Sequence, residues 1–229
     1  MAKKKILIMF LPILLLITAI LGYLKLTNVE SDSIKFKNEY ESLNGKKKYI
    51  EMNVEKNNKV KYSNYDEIFD ILNNKTGIIY LGYAECNDCR YAINTLFDVI
   101  KDNKIDDTIY YLDNHLDRDS YVLSDTELVY ERDKNGKEIK GTDNYFKLLE
   151  ILDDHLSQYI IYFEEVEYDV GEKRLHFPSV IFVKDGEVLG IEYASLDIPY
   201  DDLYSNYEDY LINMYSEVCD INNGVNTPC

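Results

Sequence analysis

The stretch Gly77–Ile100, "GIIYLGYAECNDCRYAINTLFDVI", places the tightest limit on what this chain can fold into. It opens with an uncharged run, Gly77-Ile78-Ile79-Tyr80-Leu81-Gly82. Such a run suits a central strand buried on both faces, because successive side chains of a strand point to opposite sides. The period then changes. From Cys86 onward the apolar positions are Cys89, Ile93, Leu96, Phe97 and Ile100, which is helical spacing over about four turns. A doubly buried strand feeding an amphipathic helix is a βα unit, and two of the chain's four cysteines, Cys86 and Cys89, lie at its junction.

The neighbouring sequence extends this unit in both directions. Lys48–Val54 reads as a short first strand. Ser63 and Asp66 suit the first turn of a helix in "SNYDEIFDILNN", where Tyr65, Ile68, Phe69 and Leu72 share one face. Thr108–Leu112 reads as a further strand. The order β-α-β-α-β argues for a partly parallel sheet with crossover helices. "HFPSVIFVKDGEVLGIEY" reads as two strands joined at Lys184-Asp185-Gly186, with Asp-Gly at the turn. A last helix runs from about Tyr200 to Val218, with Leu203, Tyr207, Tyr210, Leu211, Met214 and Val218 on one side. Between them, residues 115–175 read as an insertion, with a turn at Asn135-Gly136 and a helix capped by Thr142. The insertion has too few apolar residues for a core of its own.

The first 25 residues differ from the rest. Lys3, Lys4 and Lys5 precede an unbroken apolar run, Ile6 to Leu24, which as a helix spans roughly 28 Å, close to the hydrocarbon thickness of a bilayer. The basic cap keeps the N-terminus in the cytoplasm and sends the rest outward. The rival is a cleaved signal peptide, which would leave the domain secreted. No small-x-small cleavage site follows the run, which favours an uncleaved single-pass anchor. Residues 26–47 read as a polar tether, 48–218 as the folded domain and 219–229 as a tail bounded by Cys219 and Cys229. Both versions put the domain outside the cytoplasm, where disulfides persist.

Charge excludes one class of function. The formal net charge is −17, from 25 basic and 42 acidic residues. Such a surface repels nucleic acid and lacks the basic stripe that phosphate binding demands, so nucleic acid is excluded as a partner. The acidic surface is read as keeping the domain soluble.

The cysteine pair admits three readings: a redox pair, half of a metal site, or a structural staple. At a helix start the first cysteine meets unsatisfied N–H groups and the positive end of the helix dipole, which stabilise a thiolate. The second lies one turn on, placed to attack a mixed disulfide and release the partner. Zinc needs four ligands, usually from a second close pair, whereas Cys219 and Cys229 are far along the chain and His115, His155 and His176 are scattered. Copper held by the cysteines plus His176 is the other metal reading, set against a solvated histidine. No metal and no cofactor is expected. Cys219 and Cys229 suit a structural disulfide worth about 2–3 kcal/mol; the alternative is a relay pair for Cys86 and Cys89.

"IIYLGYAECNDCR", followed some ninety residues later by "FPSVIFVKDGEVLG", resembles the thioredoxin-fold superfamily. The nearer resemblance is to the bacteriocin transport accessory proteins and related exported bacterial thioredoxin-like proteins, on Gly82 before the first cysteine and Arg90 after the second. The resemblance covers about 48–218. It implies a thioredoxin-like central mixed sheet flanked by helices, with the insertion ahead of a strand that enters through a cis-proline, Pro178. It further implies a protein-disulfide oxidoreductase acting on protein or peptide thiols and disulfides, together with an unidentified redox partner. Cys86 would attack, Cys89 would resolve, and Phe177 and Pro178 would shape the substrate groove. The second reading is a non-catalytic binding module for peptide export. Two departures favour it: Glu85 and Tyr80 stand where many relatives carry a tryptophan and a buried aspartate. Glu85 and Asp88 are expected to raise the Cys86 pKa and Arg90 to lower it, with a redox potential nearer the reducing than the strongly oxidising end.

Overall fold

The structure, a computed structural model, describes residues 30–125, 127–164 and 166–215. Its centre is a five-stranded sheet of β1 (Val60–Tyr62), β2 (Gly77–Leu81), β3 (Ile109–Leu112), β8 (Ser179–Lys184) and β9 (Glu187–Tyr193), in the order β1-β3-β2-β8-β9. β1 and β2 both run parallel to β3, while β8 is antiparallel to β2 and β9 to β8. The architecture is therefore mixed α/β with a mixed sheet. Two separate hairpins, β4 (Tyr121–Ser124) with β5 (Glu127–Tyr130) and β6 (Ser157–Phe163) with β7 (Val166–Arg174), lie outside this sheet.

The uncharged run that opened the sequence argument is the central strand β2, every residue of which is buried. Alternation divides it between two cores. Ile78 and Tyr80 face one side with α1 (Asp32–Glu41), α3 (Asn87–Asp102) and α5 (Tyr200–Tyr215). Ile79 and Leu81 face the other, with α2 (Tyr65–Asn74) and α4 (Asp143–Ile151). The need to satisfy both layers explains why no polar side chain interrupts the strand.

Four expectations are corrected. Within the span read as a polar tether, residues 32–41 form α1, and its Phe36 and Tyr40, four residues apart on one face, are fully buried. Two aromatic rings of this size outweigh the surrounding lysines and asparagines. Lys48–Val54 forms no strand: Met52 and Val54 are buried alternately as a strand would have it, but their amides are held by Asn44 Oδ1 (2.9 Å) and Glu41 Oε1 (2.8 Å). The edge strand is instead Val60–Tyr62. Asn64, one residue later than Ser63, caps α2 by accepting the Glu67 amide. Finally, α4 inside the insertion contributes buried Tyr145, Leu148 and Leu149 to the main core, so only the two hairpins are additions to the layered body.

The β8–β9 turn falls at Asp185 and Gly186, with φ of 51° and 80°. Two successive positive φ values match the twist of a two-residue hairpin and favour glycine. The Gly186 amide also donates to the Lys75 carbonyl (2.9 Å), and a Cβ there would stand 2.4 Å from the Asn73 carbonyl oxygen. Gly186→Ala is expected to cost about 2–3 kcal/mol through strain and this collision. A fall in the urea midpoint at unchanged slope is the readout.

Candidate functional site

The parallel strands β2 and β3 end at the same edge of the sheet, Leu81 beside Leu112, and Ser179 at the start of β8 pairs with Leu81. The residues following Leu81, following Leu112 and preceding Ser179 therefore emerge together. This is the edge where side chains on connecting loops converge in α/β folds. It brings Cys86, His115 and the Phe177–Pro178 pair to one end of the molecule.

Cys86 is the N-cap of α3, and its Sγ accepts the Cys89 amide at 3.0 Å. The two cysteines are joined as a disulfide with Cα atoms 5.1 Å apart. Their access differs: Cys86 is half-buried, whereas Cys89 is 0% exposed, packed in the core beneath α3. Of the two residues, only Cys86 has surface that a solution thiol can reach. The N–H groups at the head of a four-turn helix stabilise negative charge on its sulfur.

Tyr80, six residues before Cys86, donates its hydroxyl to the Cys89 carbonyl (2.8 Å) and lies 3.3 Å from the Tyr40 hydroxyl. Burial pushes both hydroxyls well above the usual tyrosine range, so neither releases a proton near neutral pH. Tyr80 thus braces the backbone of the buried cysteine and does not replace a carboxylate as proton acceptor. Gly82 follows from it: a Cβ there would lie 2.5 Å from the Tyr80 hydroxyl oxygen.

The residues between and after the cysteines tie the helix head to its surroundings. Asn87 accepts the Ile50 amide (2.9 Å) and donates to the Lys48 carbonyl (2.8 Å). Asp88 accepts the Leu196 amide at 2.8 Å, and Glu85 is exposed. Arg90, expected to tune Cys86, is spent elsewhere. It is 0% exposed and donates to the carbonyls of Ile50 (2.5 Å), Tyr40 (2.8 Å) and Ala84 (3.2 Å) and to Asn44 Oδ1 (3.1 Å). No ion pair to it exists among the described residues. Burial pulls its pKa below the ordinary arginine value. Its role is a brace that fastens the N-terminal segment to the cysteine loop.

The Phe177–Pro178 bond is cis. Pro178 is itself buried, so the accessible wall beside the cysteine loop is aromatic: Phe177 stands edge-on to Tyr83 at 5.9 Å, and Tyr83 stacks on His115 at 4.4 Å. Arg118 lies over the Phe177 ring at 4.7 Å. Tyr83, His115 and Arg118 carry no periodic or motif signal in the sequence; only the shared strand edge assembles them.

His176 is wedged between Tyr159 (5.3 Å) and Tyr193 (5.2 Å), and burial, reinforced by the Arg118 charge, lowers its pKa from 6.5. The folded state thus prefers neutral imidazole. Its contribution is complete above about pH 6.5, where the unfolded chain is also neutral, and is lost as pH falls through the folded value. His176→Gln is expected to flatten that part of the stability profile, read as urea midpoints of both proteins across about pH 7 to 5.

Among the described residues no group of three or more His, Cys, Asp or Glu side chains could hold a metal ion. Also among them, no helix is long and apolar enough to cross a membrane. The run Ile6–Leu24, Val218, and the pair Cys219 and Cys229 lie outside the described residues.

Fold and site together define a mixed α/β protein with a disulfide capping a helix, one sulfur accessible and one sealed, beside a cis-proline strand entry. No protein-family model matches the chain, and a search of curated proteins returns no match.

Proposed function

We infer that the protein is a thioredoxin-like thiol–disulfide exchange protein, membrane-anchored and facing outside the cytoplasm, acting on protein or peptide partners. The observation that carries the reading is the unequal access of the two sulfurs. Cys86, half-exposed at a helix N-terminus, suits the first attack; Cys89, sealed and within disulfide reach of Cys86, suits the second. The cis-proline strand entry at the same sheet edge, followed by a hairpin, supports the thioredoxin-like assignment.

In the reducing direction the Cys86 thiolate attacks a partner disulfide, forms a mixed disulfide and expels one partner thiolate. Cys89, having given up its proton, then attacks Cys86 Sγ and expels the second thiolate. The partner gains two electrons and two protons, and Cys86 and Cys89 end as a disulfide. The reverse sequence oxidises a partner dithiol. The anchor is the run Ile6–Leu24, and the resemblance to bacteriocin transport accessory proteins points to partners near peptide export, by analogy.

One observation favours a non-catalytic docking module: Tyr80 occupies the place of a proton-accepting carboxylate and stays protonated. The test is equilibration of the purified full chain with glutathione buffers, followed by reduction of insulin by the reduced protein. Opening of the Cys86–Cys89 bond with electron transfer to insulin supports exchange. A bond that resists excess thiol, or opens without transfer, overturns exchange in favour of docking.

A further inference from the structure

The β4–β5 and β6–β7 hairpins take no part in the central sheet, yet between them lies a cavity of about 400 Å³. It adjoins the cysteine loop through two lining residues. His115 stacks on Tyr83, three residues before Cys86, and Arg118 covers Phe177, the residue before Pro178. The remaining walls include Leu116, Ile139, Tyr159 and Ile161.

The polar groups of this cavity are largely committed to one another. Arg174 holds Asp119 through Nε at 3.0 Å and Nη2 at 2.8 Å, with the two side chains 4% and 2% exposed. Tyr121 also donates to Asp119 (2.9 Å), and Ser120 donates to Glu131 (2.5 Å). Arg118 donates to the Leu175 carbonyl (2.8 Å) and spreads over the rings of Phe177 and Tyr159. Both signs of charge line the recess, so neither an acidic nor a basic occupant gains a clear advantage. On a chain of net charge −17 this is a nearly neutral, part-apolar hollow. Leu116 at its rim is 82% exposed.

We propose that this cavity is a specificity subsite for exchange, receiving a bulky apolar side chain, aromatic best, from the residue next to the partner's reacting cysteine. The inference rests on the exchange reading above. The volume falls at the lower end of ligand pockets, about 300–1,000 Å³. Tyr159, His115 and the Arg118 guanidinium in the lining suit an aromatic side chain, which gains from contact with other rings and from a nearby cation. A partner chain lying on Phe177 beside the cysteine loop has the cavity as its neighbour, because Arg118 and His115 line the cavity and touch Phe177 and Tyr83.

The test uses the oxidised full chain and short cysteine peptides carrying Phe, Leu, Ala, Glu or Lys beside the cysteine, reading the rate at which each opens the Cys86–Cys89 disulfide. The Phe peptide is expected to react about tenfold faster than the Ala peptide, with Glu and Lys no better than Ala. Ile161→Asp is expected to erase the preference, and Leu116→Ala, at an exposed rim position, to reduce it severalfold. Both variants should keep the wild-type rate with dithiothreitol. Equal rates for Phe and Ala peptides while dithiothreitol opens the bond would overturn the subsite and leave exchange standing. So would a preference that survives both substitutions. Failure of dithiothreitol to open the bond at all defeats exchange, and the subsite with it.

Discussion

Cys86→Ser is expected to bring disulfide exchange down to the rate without protein, while Cys89→Ser stops it one step later and accumulates mixed disulfides on Cys86. The asymmetry follows from burial. With Cys86 removed, the remaining sulfur is fully buried under α3 and out of reach of a partner. A serine hydroxyl at position 86 does not ionise near neutral pH, and the thiolate is the nucleophile in exchange. With Cys89 removed, the half-exposed Cys86 still attacks and still receives N–H donation at the helix head. No second sulfur then lies one helical turn away to expel the partner. Non-reducing gels and intact-mass measurement separate the two outcomes. Mixed disulfides forming equally on Cys89 in the Cys86→Ser protein would contradict the assignment of roles.

Arg90→Leu is expected to destabilise the protein by about 3–5 kcal/mol, a large share of the roughly 5–15 kcal/mol that holds a domain folded. The guanidinium is sealed from water and answers three backbone carbonyls and the Asn44 side chain. Leucine fills much of the volume but leaves the Ile50 and Ala84 carbonyls without this donor, at about 1–3 kcal/mol each where the structure cannot relax, while Asn44 Oδ1 keeps the Met52 amide and the Tyr40 carbonyl keeps the Leu43 amide. Arg90→Lys recovers part of the loss, because an ammonium has three donors and lacks the planar fork that spans Ile50, Tyr40 and Ala84 together. Urea unfolding gives the number. A loss below about 1 kcal/mol for the leucine variant would show that the carbonyls find water and that the brace is dispensable. The substitution is also expected to loosen residues 44–52, which protease nicking in that segment would report.

These two residues mark how far a linear reading reaches. Cys86 and Cys89 were legible because a thiol pair at a helix head has a distinct spacing and a distinct chemistry. Arg90 was also picked out, but as a neighbour in sequence, and its side chain is spent on backbone and side-chain acceptors, tying segments forty to fifty residues upstream to Ala84 in the cysteine loop. Asn87, between the cysteines, has no sequence signal of its role as a two-bond clamp on residues 48–50. Segment 32–54 is not legible in the sequence because its fixing contacts are two aromatic rings among polar residues and a few side chain–backbone bonds, too few to outweigh the polar pattern around them. The aromatic wall draws on three chain segments, and of Tyr83, His115 and Phe177 only Phe177 is assigned to the groove by the sequence.

Local patterns alone determined the buried central strand, the helix headed by cysteine, the Asp-Gly hairpin and the pairing chemistry of Cys86 with Cys89. Each is fixed by residues within a few positions of one another, so periodicity and turn preference suffice to read them. Tertiary structure alone decided which cysteine meets solvent, where the Arg90 charge is spent, and that two inserted hairpins flank an open hollow beside the cysteine loop. Those outcomes depend on which strand ends share an edge and which side chains cover them, contacts between residues far apart in the chain that no local pattern encodes.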